Sequence, residues 1–430
     1  MPGKARLPFT LRLYRTVTAL AAPLATPLLN WRLKRGKEDA QRMGERRGIP
    51  SLPRPPGPLI WVHAASVGEF VSVLSLLERI RARGISVLLT SGTVTAARLA
   101  AQRLPDGALH QFVPLDVPHF VETFFDHWRP NLALIAESEF WPNLITEGRR
   151  RGIPFVLVNG RLSDRSYGRW RMARGTAKAL LSRIDLCLAQ ESDIAERFEQ
   201  LGAKQVVTTG NLKFDTPPPP AEPAQLSALE RSMRNRPIVL AASTHPGEEA
   251  IIIDAHLRVR RLVPSLLTVI APRHPERGAQ IVDLAEQMGA VPIMRSRGHV
   301  PDRGTEIYVA DTIGELGLFY RIAPIVFMGG SLVRHGGQNP IEPAKLDRAI
   351  LHGPHVGNFA AIYAQLNRNR GAATVTDAES LAKSIALLLD DAELVRSMAA
   401  SAHATVDKLG GALERTVKAI EPYLVQLRLG

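Results

Sequence analysis

A few carboxylates, cations and glycines in this chain stand at spacings that can do chemistry. Trp61, Val62 and His63 lead as a strand into the turn Ala64–Gly68, and Glu69 falls in the first turn of the helix that follows. The helix dipole holds a carboxylate there ionised, which suits a general base taking a proton from a hydroxyl nucleophile. An ordinary first-turn glutamate that only stabilises its helix would look the same. The apolar run Leu132–Ala136 ends in Glu137, Ser138, Glu139, Phe140, Trp141 and Pro142. One carboxylate of this pair fits a helix cap, and the other is free to orient an acceptor or stabilise developing charge. Lys213, within Gly210–Asp215, can reach an anionic leaving group.

The second half carries more specific signals. Arg273, set between Pro272 and Pro275 after a strand, is a phosphate or carboxylate clamp. Gly329, Gly330, Ser331, Gly336 and Gly337 surround the opening of a helix, where bare backbone N–H groups backed by the dipole form a phosphate cradle. Asn339 and Glu342 stand three apart on one helical face, and a carboxylate so placed can accept both hydroxyls of a ribose. The turn of Asp311, Thr312, Ile313, Gly314, Glu315 and Leu316 offers backbone to a base edge. No Walker phosphate loop, Gly-x-Gly-x-x-Gly after the first strand, His-Glu-x-x-His, Asp-x-Asp or cysteine pair occurs, so no metal site is expected. Asp377, Ala378 and Glu379 read as a helix start.

These residues need strand ends to hold them. Apolar runs near 59–63, 85–90, 109–113, 132–136, 155–158, 184–189 and 206–208 alternate with amphipathic stretches at 67–83, 117–128 and 191–201. A second series runs near 238–242, 266–271, 306–309, 325–328 and 349–352. Strand–helix alternation means parallel βαβ units with functional groups at the carboxyl ends of the strands. Pro217–Pro220 and Pro223 break the chain near its middle. The expected fold class is therefore α/β, two Rossmann-like domains with parallel sheets facing across a cleft. The expected division is a basic apolar anchor (1–55), a first domain (56–214), a proline-rich linker (215–235), a second domain (236–395) and a terminal helical segment (396–430) that could cross back.

The chain has 430 residues, 45% of them hydrophobic and 22% charged, which excludes a disordered or peptide-sized protein. A single cysteine excludes a disulfide scaffold. Of the net charge of +13, the first 60 residues supply +9, from 12 basic and 3 acidic side chains. That concentration favours a local anionic partner such as a lipid surface over nucleic acid. Thr16–Trp31 is a run of sixteen uncharged residues, interrupted by Pro23 and Pro27 and flanked by Arg12, Arg15, Arg32, Lys34, Arg35 and Lys37. It suits either a short anchor or an interfacial helix, with the body on the cytoplasmic side. The five arginines of Arg161–Arg174, including Arg165 and Arg169, face only Asp164 and suit an acceptor entrance beside the membrane; a solvated helix face is the alternative.

Eight segments in order resemble the 3-deoxy-D-manno-octulosonic acid (Kdo) transferases: HAASVGEF (63–70), AESEFWPN (136–143), NGRLSDRS (159–166), GNLKFD (210–215), STHPGEE (243–249), APRHPER (271–277), DTIGEL (311–316) and GGSLVRHGGQNPIEPA (329–344). The resemblance implies a GT-B glycosyltransferase, inverting and independent of bound metal, that moves Kdo from CMP-Kdo to a lipid A precursor in lipopolysaccharide biosynthesis. It places the general base at Glu69 and transition-state support at Glu137 and Lys213. It puts CMP contacts at Pro272 and Arg273, at Ile313, Gly314 and Glu315, and at Asn339 through Glu342. CMP-Kdo is a substrate, so no cofactor is expected. The implied location is the cytoplasmic face of the bacterial inner membrane. Two departures stand out: Ala96, Ala97 and Arg98 replace a glycine after the threonine-rich turn, and Asp347 stands where a small residue is usual. The rival readings are a GT-B transferase with a UDP-sugar donor and a non-catalytic protein that binds anionic membranes.

Overall fold

In this computed structural model the described residues are 7–234 and 236–429, the last two without their side chains. They form two compact units, one of residues up to Thr216 together with those from Gly410 on, the other Pro217–Leu409.

The first unit is built on seven parallel strands: β1 Leu59–His63, β2 Ser86–Ser91, β3 Ala108–Phe112, β4 Leu132–Ala136, β5 Phe155–Gly160, β6 Leu186–Ala189 and β7 Val206–Thr208, in the order β3-β2-β1-β4-β5-β6-β7. Chain order reverses between β1 and β4, so the gap beyond their carboxyl ends is a topological switch point, where α/β proteins bind ligands. Both faces of β1 are covered, which is why it reads as a continuous apolar run. Leu59 and Trp61 pack into a layer with Phe124, Phe125 and Phe155, while Ile60 and Val62 pack into one with Phe70, Leu74 and Leu77. The Trp61 ring meets Phe124 and Phe125 edge-on at 5.2 and 5.6 Å. Its indole N–H donates to Thr90 Oγ1 at 2.8 Å, tying β1 to β2 just below the switch point. Cys187, on β6, is buried and its thiol is pushed up to about 12 by that burial.

The N-terminal segment is docked on this unit. Helix Phe9–Leu20 buries Leu11 and is held by Tyr14 Oη donating to Asp116 (3.0 Å) and by an Arg15–Glu122 ion pair (3.0 Å). Its other side leaves Phe9, Leu13, Val17 and Leu20 between 50 and 76% exposed, a stripe at helical spacing. The uncharged run is not one helix: a 3₁₀ turn at Ala22–Leu24 separates it from helix Ala25–Lys34. At 12 residues the first helix is about 18 Å long against about 30 Å of bilayer core, and among the described residues no helix is long and apolar enough to cross a membrane. Further on, buried Arg46 pairs with Glu38 (2.8 Å) and donates to the carbonyls of Gly92 (2.7 Å) and Val113 (3.2 Å), fixing the turn after β2.

The second unit repeats the plan with β8 Ile238–Thr244, β9 Leu267–Pro272, β10 Pro292–Met294, β11 Ile307–Val309, β12 Ile325–Met328, β13 Ala349–His352 and β14 Ala372–Thr374, all parallel, in the order β10-β11-β9-β8-β12-β13-β14. The switch point lies between β8 and β12. The three-residue edge strands β10 and β14 went unread because one begins with proline and the other is Ala-Ala-Thr, with no apolar run to mark either. The proline-rich stretch also differs from expectation. Pro223 opens helix Pro223–Ser232, with the Glu222 carboxylate accepting from the N–H groups of Ala224 (3.2 Å) and Gln225 (2.9 Å). Proline at the first helical position lacks only an N–H that would have no partner anyway. Asp377 caps helix Ala378–Asp390 as its sequence suggested.

The last helix, Ala412–Leu429, belongs to the first unit. The Asp215 carboxylate accepts from the N–H groups of Gly411 (2.6 Å) and Leu413 (2.7 Å), Arg415 donates to Thr209 O (2.7 Å), and Arg83 pairs with Glu421 (2.6 Å).

Candidate active site

Three carboxylates gather at the switch point of the first unit. Ser66 caps helix Val67–Arg81, its Oγ accepting from Glu69 N–H at 3.3 Å. The Glu69 carboxylate folds back to accept from Ala65 N–H and from Ser66 Oγ, both at 2.8 Å. It therefore serves as a helix cap as well as standing at a strand end. The expectation that the dipole would dominate its ionisation needs correcting: its pKa is raised, first by burial and further by the charges of Glu139 and Glu137, against the lowering effect of the Ser66 and Ala65 hydrogen bonds. A raised carboxyl is a better-matched base near neutral pH than an ordinary one.

Glu137 directly follows β4 and sits at φ +54°, a left-handed conformation costly for a side chain of its size. That bend is fixed by backbone bonds from Glu137 N–H to Val158 O (3.0 Å) and from Arg161 N–H to Glu137 O (3.3 Å). It aims the carboxylate at Lys213 Nζ, 2.8 Å away. The segment 210–215 is built to deliver that lysine: Asn211 Oδ1 accepts from Lys213 N–H (3.0 Å), and Asn159, fully buried at the end of β5, accepts from Leu212 N–H (3.0 Å). Lys213 is thus spent on Glu137 in this state, and the pair acts as one unit.

Glu139, the second member of the acidic pair, has its own support. Its Oε2 accepts from Trp141 Nε1 at 2.8 Å and lies 3.9 Å from His63 Nε2. His63, buried at the end of β1, has Nδ1 2.9 Å from Thr90 Oγ1, and among the described residues none hydrogen-bonds its Nε2. Interaction with His63, outweighing burial, holds the Glu139 carboxyl below its ordinary value. No local pattern marks His63 or Asn159 for a role, although both stand at strand ends within the segments HAASVGEF and NGRLSDRS. Arg161, Arg165 and Arg169 are all exposed, the last two on helix Asp164–Met172, which buries no residue.

The second unit corrects one expectation outright. Of the expected cradle, Gly329, Gly330, Ser331 and Gly337 do not hold their N–H groups open for a phosphate. Those of Gly330, Ser331 and Leu332 donate to the buried carboxylate of Glu248 at 2.6, 2.9 and 2.8 Å. Gly329 donates to Ala242 O and Gly337 to Gly330 O. The cradle exists, and an internal anion fills it. The glycines are required by packing: a Cβ on Gly329 would stand 2.5 Å from Ser243 O, and one on Gly336 2.5 Å from the Asn358 amide.

The other expected donor residues occupy three strand ends. Pro272 closes β9, and Arg273 beyond it is exposed, its N–H donating to Thr244 O (3.0 Å) and its guanidinium without a partner among the described residues. Arg277, not Arg273, is the clamped arginine of this segment, paired with buried Glu249 at 2.6 Å. After β11, Ile313 is 82% exposed, Gly314 has φ +88°, and Glu315 is pinned by Arg295 (2.8 Å), which holds its carboxyl below the ordinary value. Asn339 precedes the short helix Ile341–Ala344, capping Ile341 N–H at 3.1 Å, with its amide 3.5 Å from Glu342 Oε1. Asp347, the departure noted in the sequence, has φ +56° and bonds to His403 at 2.9 Å. Aspartate tolerates this left-handed backbone better than most side chains.

A family profile described as 3-deoxy-D-manno-octulosonic-acid transferase (kdotransferase) matches residues 41–216. The 3-deoxy-D-manno-octulosonic acid transferase of Haemophilus influenzae is 33% identical over 420 residues, covering 96% of this chain and 98% of that protein. This chain belongs to the Kdo transferase family. A probable mitochondrial Kdo transferase of Arabidopsis thaliana is 35% identical over 90% of both chains. Among solved structures, a glycosyltransferase from Rickettsia africae has a TM-score of 0.57 at 13% identity, covering 86% of this chain and 99% of that one. The UDP-GlcNAc 2-epimerase from Neisseria meningitidis has 0.56 at 12%, covering 85% and 100%. At that identity the likeness speaks for the fold alone, which is GT-B. Membership makes the chain a glycosyltransferase.

Proposed function

We propose that this Kdo transferase moves Kdo from CMP-Kdo to a hydroxyl of a lipid A precursor, with inversion at the anomeric carbon. Glu69 takes the proton of the acceptor hydroxyl. The acceptor oxygen forms its bond to the anomeric carbon as the bond from that carbon to the phosphate oxygen breaks, and the electron pair leaves with CMP. The Lys213–Glu137 pair stabilises charge at the reacting centre, and Pro272, Arg273, Ile313, Gly314, Glu315, Asn339 and Glu342 bind the cytidine nucleotide. No resident cofactor or metal is assigned a step.

The observation that carries this reading is a carboxylate with a raised pKa at the switch point of the first sheet, one helical turn from the strand end and beside a cation-paired second carboxylate. General-base assistance from such a group contributes about a hundred- to ten-thousand-fold. The exposed stripe of Phe9, Leu13, Val17 and Leu20, with Arg12 exposed beside it, supports an in-plane seat on an anionic bilayer, and exposed Arg161, Arg165 and Arg169 suit an anionic, acylated acceptor.

Incubation of the full chain with CMP-Kdo and a tetraacylated lipid A precursor, followed by mass spectrometry, yields acceptor carrying added Kdo. Binding of UDP in preference to CMP, with no Kdo transferred, refutes the donor assignment.

A further inference from the structure

Three imidazoles meet beyond the carboxyl ends of β8, β9 and β12 in the second unit, with Arg273 close enough for its charge to act on His245, and nothing above uses the imidazoles. The rings of His245 and His335 stack with centroids 3.7 Å apart and planes 28° apart. His274 meets His245 edge-on at 6.0 Å. Gly330 lies against both rings, and a Cβ there would stand 3.2 Å from that of His245 and 3.4 Å from that of His335. An amide NH2 only donates, so Gln338 Nε2, 2.9 Å from His245 Nε2, leaves the His245 proton on Nδ1.

The charges facing His245 are largely of one sign. His335 comes from the loop after β12, His274 and Arg273 from the loop after β9, and Glu249 from the helix after β8. Glu249 is already spent on Thr244 Oγ1 (2.9 Å) and Arg277 (2.6 Å), and Glu248 on backbone N–H groups. Glu276 stands 3.7 Å from His274 Nδ1 with its side chain 75% exposed. Burial and these neighbours push His245 down to about 4, so without an anion its ring is neutral at physiological pH. Among the described residues no three His, Cys, Asp or Glu side chains are placed to hold a metal ion, and the rings stack instead of converging on a point. Such a cluster is short of a negative charge, and the glycine cradle next to it is already filled.

We propose that His245, His274, His335 and Arg273 form the subsite for the phosphate of the donor, a role that rests on the cytidine-nucleotide reading given above. An anion beside His245 favours the charged form of that ring, so binding draws a proton onto it. A protonated ring then offsets the charge the phosphate gains as its bond to the sugar breaks.

Calorimetric titration of the full chain with CMP near pH 7.5, where a phosphate monoester with a second pKa of about 6 is almost fully dianionic, reads proton uptake from the dependence on buffer ionisation enthalpy. CMP binding takes up a fraction of a proton; cytidine, which lacks the phosphate, takes up none. His274→Gln and His335→Gln, both at exposed positions, each weaken CMP about tenfold, the size of one hydrogen bond to a charged group, reduce the uptake and leave cytidine affinity unchanged. Equal weakening of CMP and cytidine, or wild-type CMP affinity in both variants without proton uptake, overturns the subsite. Failure of the wild-type chain to bind CMP overturns the donor reading instead, and the subsite with it.

Discussion

Glu69 does two jobs in the structure, capping a helix and standing as the candidate base, and Glu69→Gln separates them. Glutamine keeps the shape, its oxygen can still accept from Ala65 N–H, and its NH2 can donate to Ser66 Oγ, so both bonds of the cap survive. Only the basicity goes. The expected loss in kcat is about a hundred- to ten-thousand-fold, equivalent to roughly 3 to 5 kcal/mol of barrier. Stability moves the other way. A carboxyl whose folded pKa is raised contributes stability that is fully present below its unfolded pKa and is lost as pH rises through the folded value. The variant has no such loss, so its melting temperature at neutral pH equals or exceeds that of the wild type, and the gap closes as pH falls below about 4.5, an unperturbed glutamate value. The assays are kcat on the lipid acceptor and melting curves at several pH values. A variant that melts earlier than wild type at neutral pH, yet turns over normally per folded molecule, would show that residue 69 is a cap and nothing more.

Glu139→Gln removes one of the charges that raise the Glu69 carboxyl, so the acid limb of kcat/KM against pH moves to lower pH; an unmoved limb would disconnect the two. Asp215→Ala strips the cap from the terminal helix, costs about 1 to 2 kcal/mol in urea denaturation, and speeds amide exchange selectively over residues 412–429. Glu248→Gln sets an amide NH2 against N–H donors that the carboxylate now satisfies and costs about 1 to 3 kcal/mol; if CMP restored that stability in the variant but not in the wild type, the filled cradle would be a phosphate site after all. Leu13→Glu with Leu20→Glu lowers co-sedimentation with anionic vesicles while leaving the melting temperature within about 1 °C, since both side chains are at least half exposed.

The strands that carry the chemistry were legible because each is buried on both faces and so reads as an unbroken apolar run, as in Leu59–His63 and Leu132–Ala136. Short edge strands and a helix opened by proline were not, since neither leaves an apolar period. At the site, residue types revealed which groups ionise but not what they touch. Glycines at 329–337 signal bare N–H groups equally well whether a phosphate or Glu248 fills them, and only the 82-residue separation between Glu248 and Gly330 closed in space decides it. Asn159 and His63 act through partners more than 25 residues away, Leu212 and Thr90, which no local pattern connects.

Because the closing helix returns to the lobe where the chain began, that lobe is assembled from two ends with a complete second lobe inserted between them. A nascent chain emerging from the ribosome can finish the inserted lobe while the outer one still lacks Ile420 and Leu424, which cover Leu212. Loss of the final twenty residues would therefore damage the half that carries Glu69, far off in sequence, and spare the half built on β8 to β14.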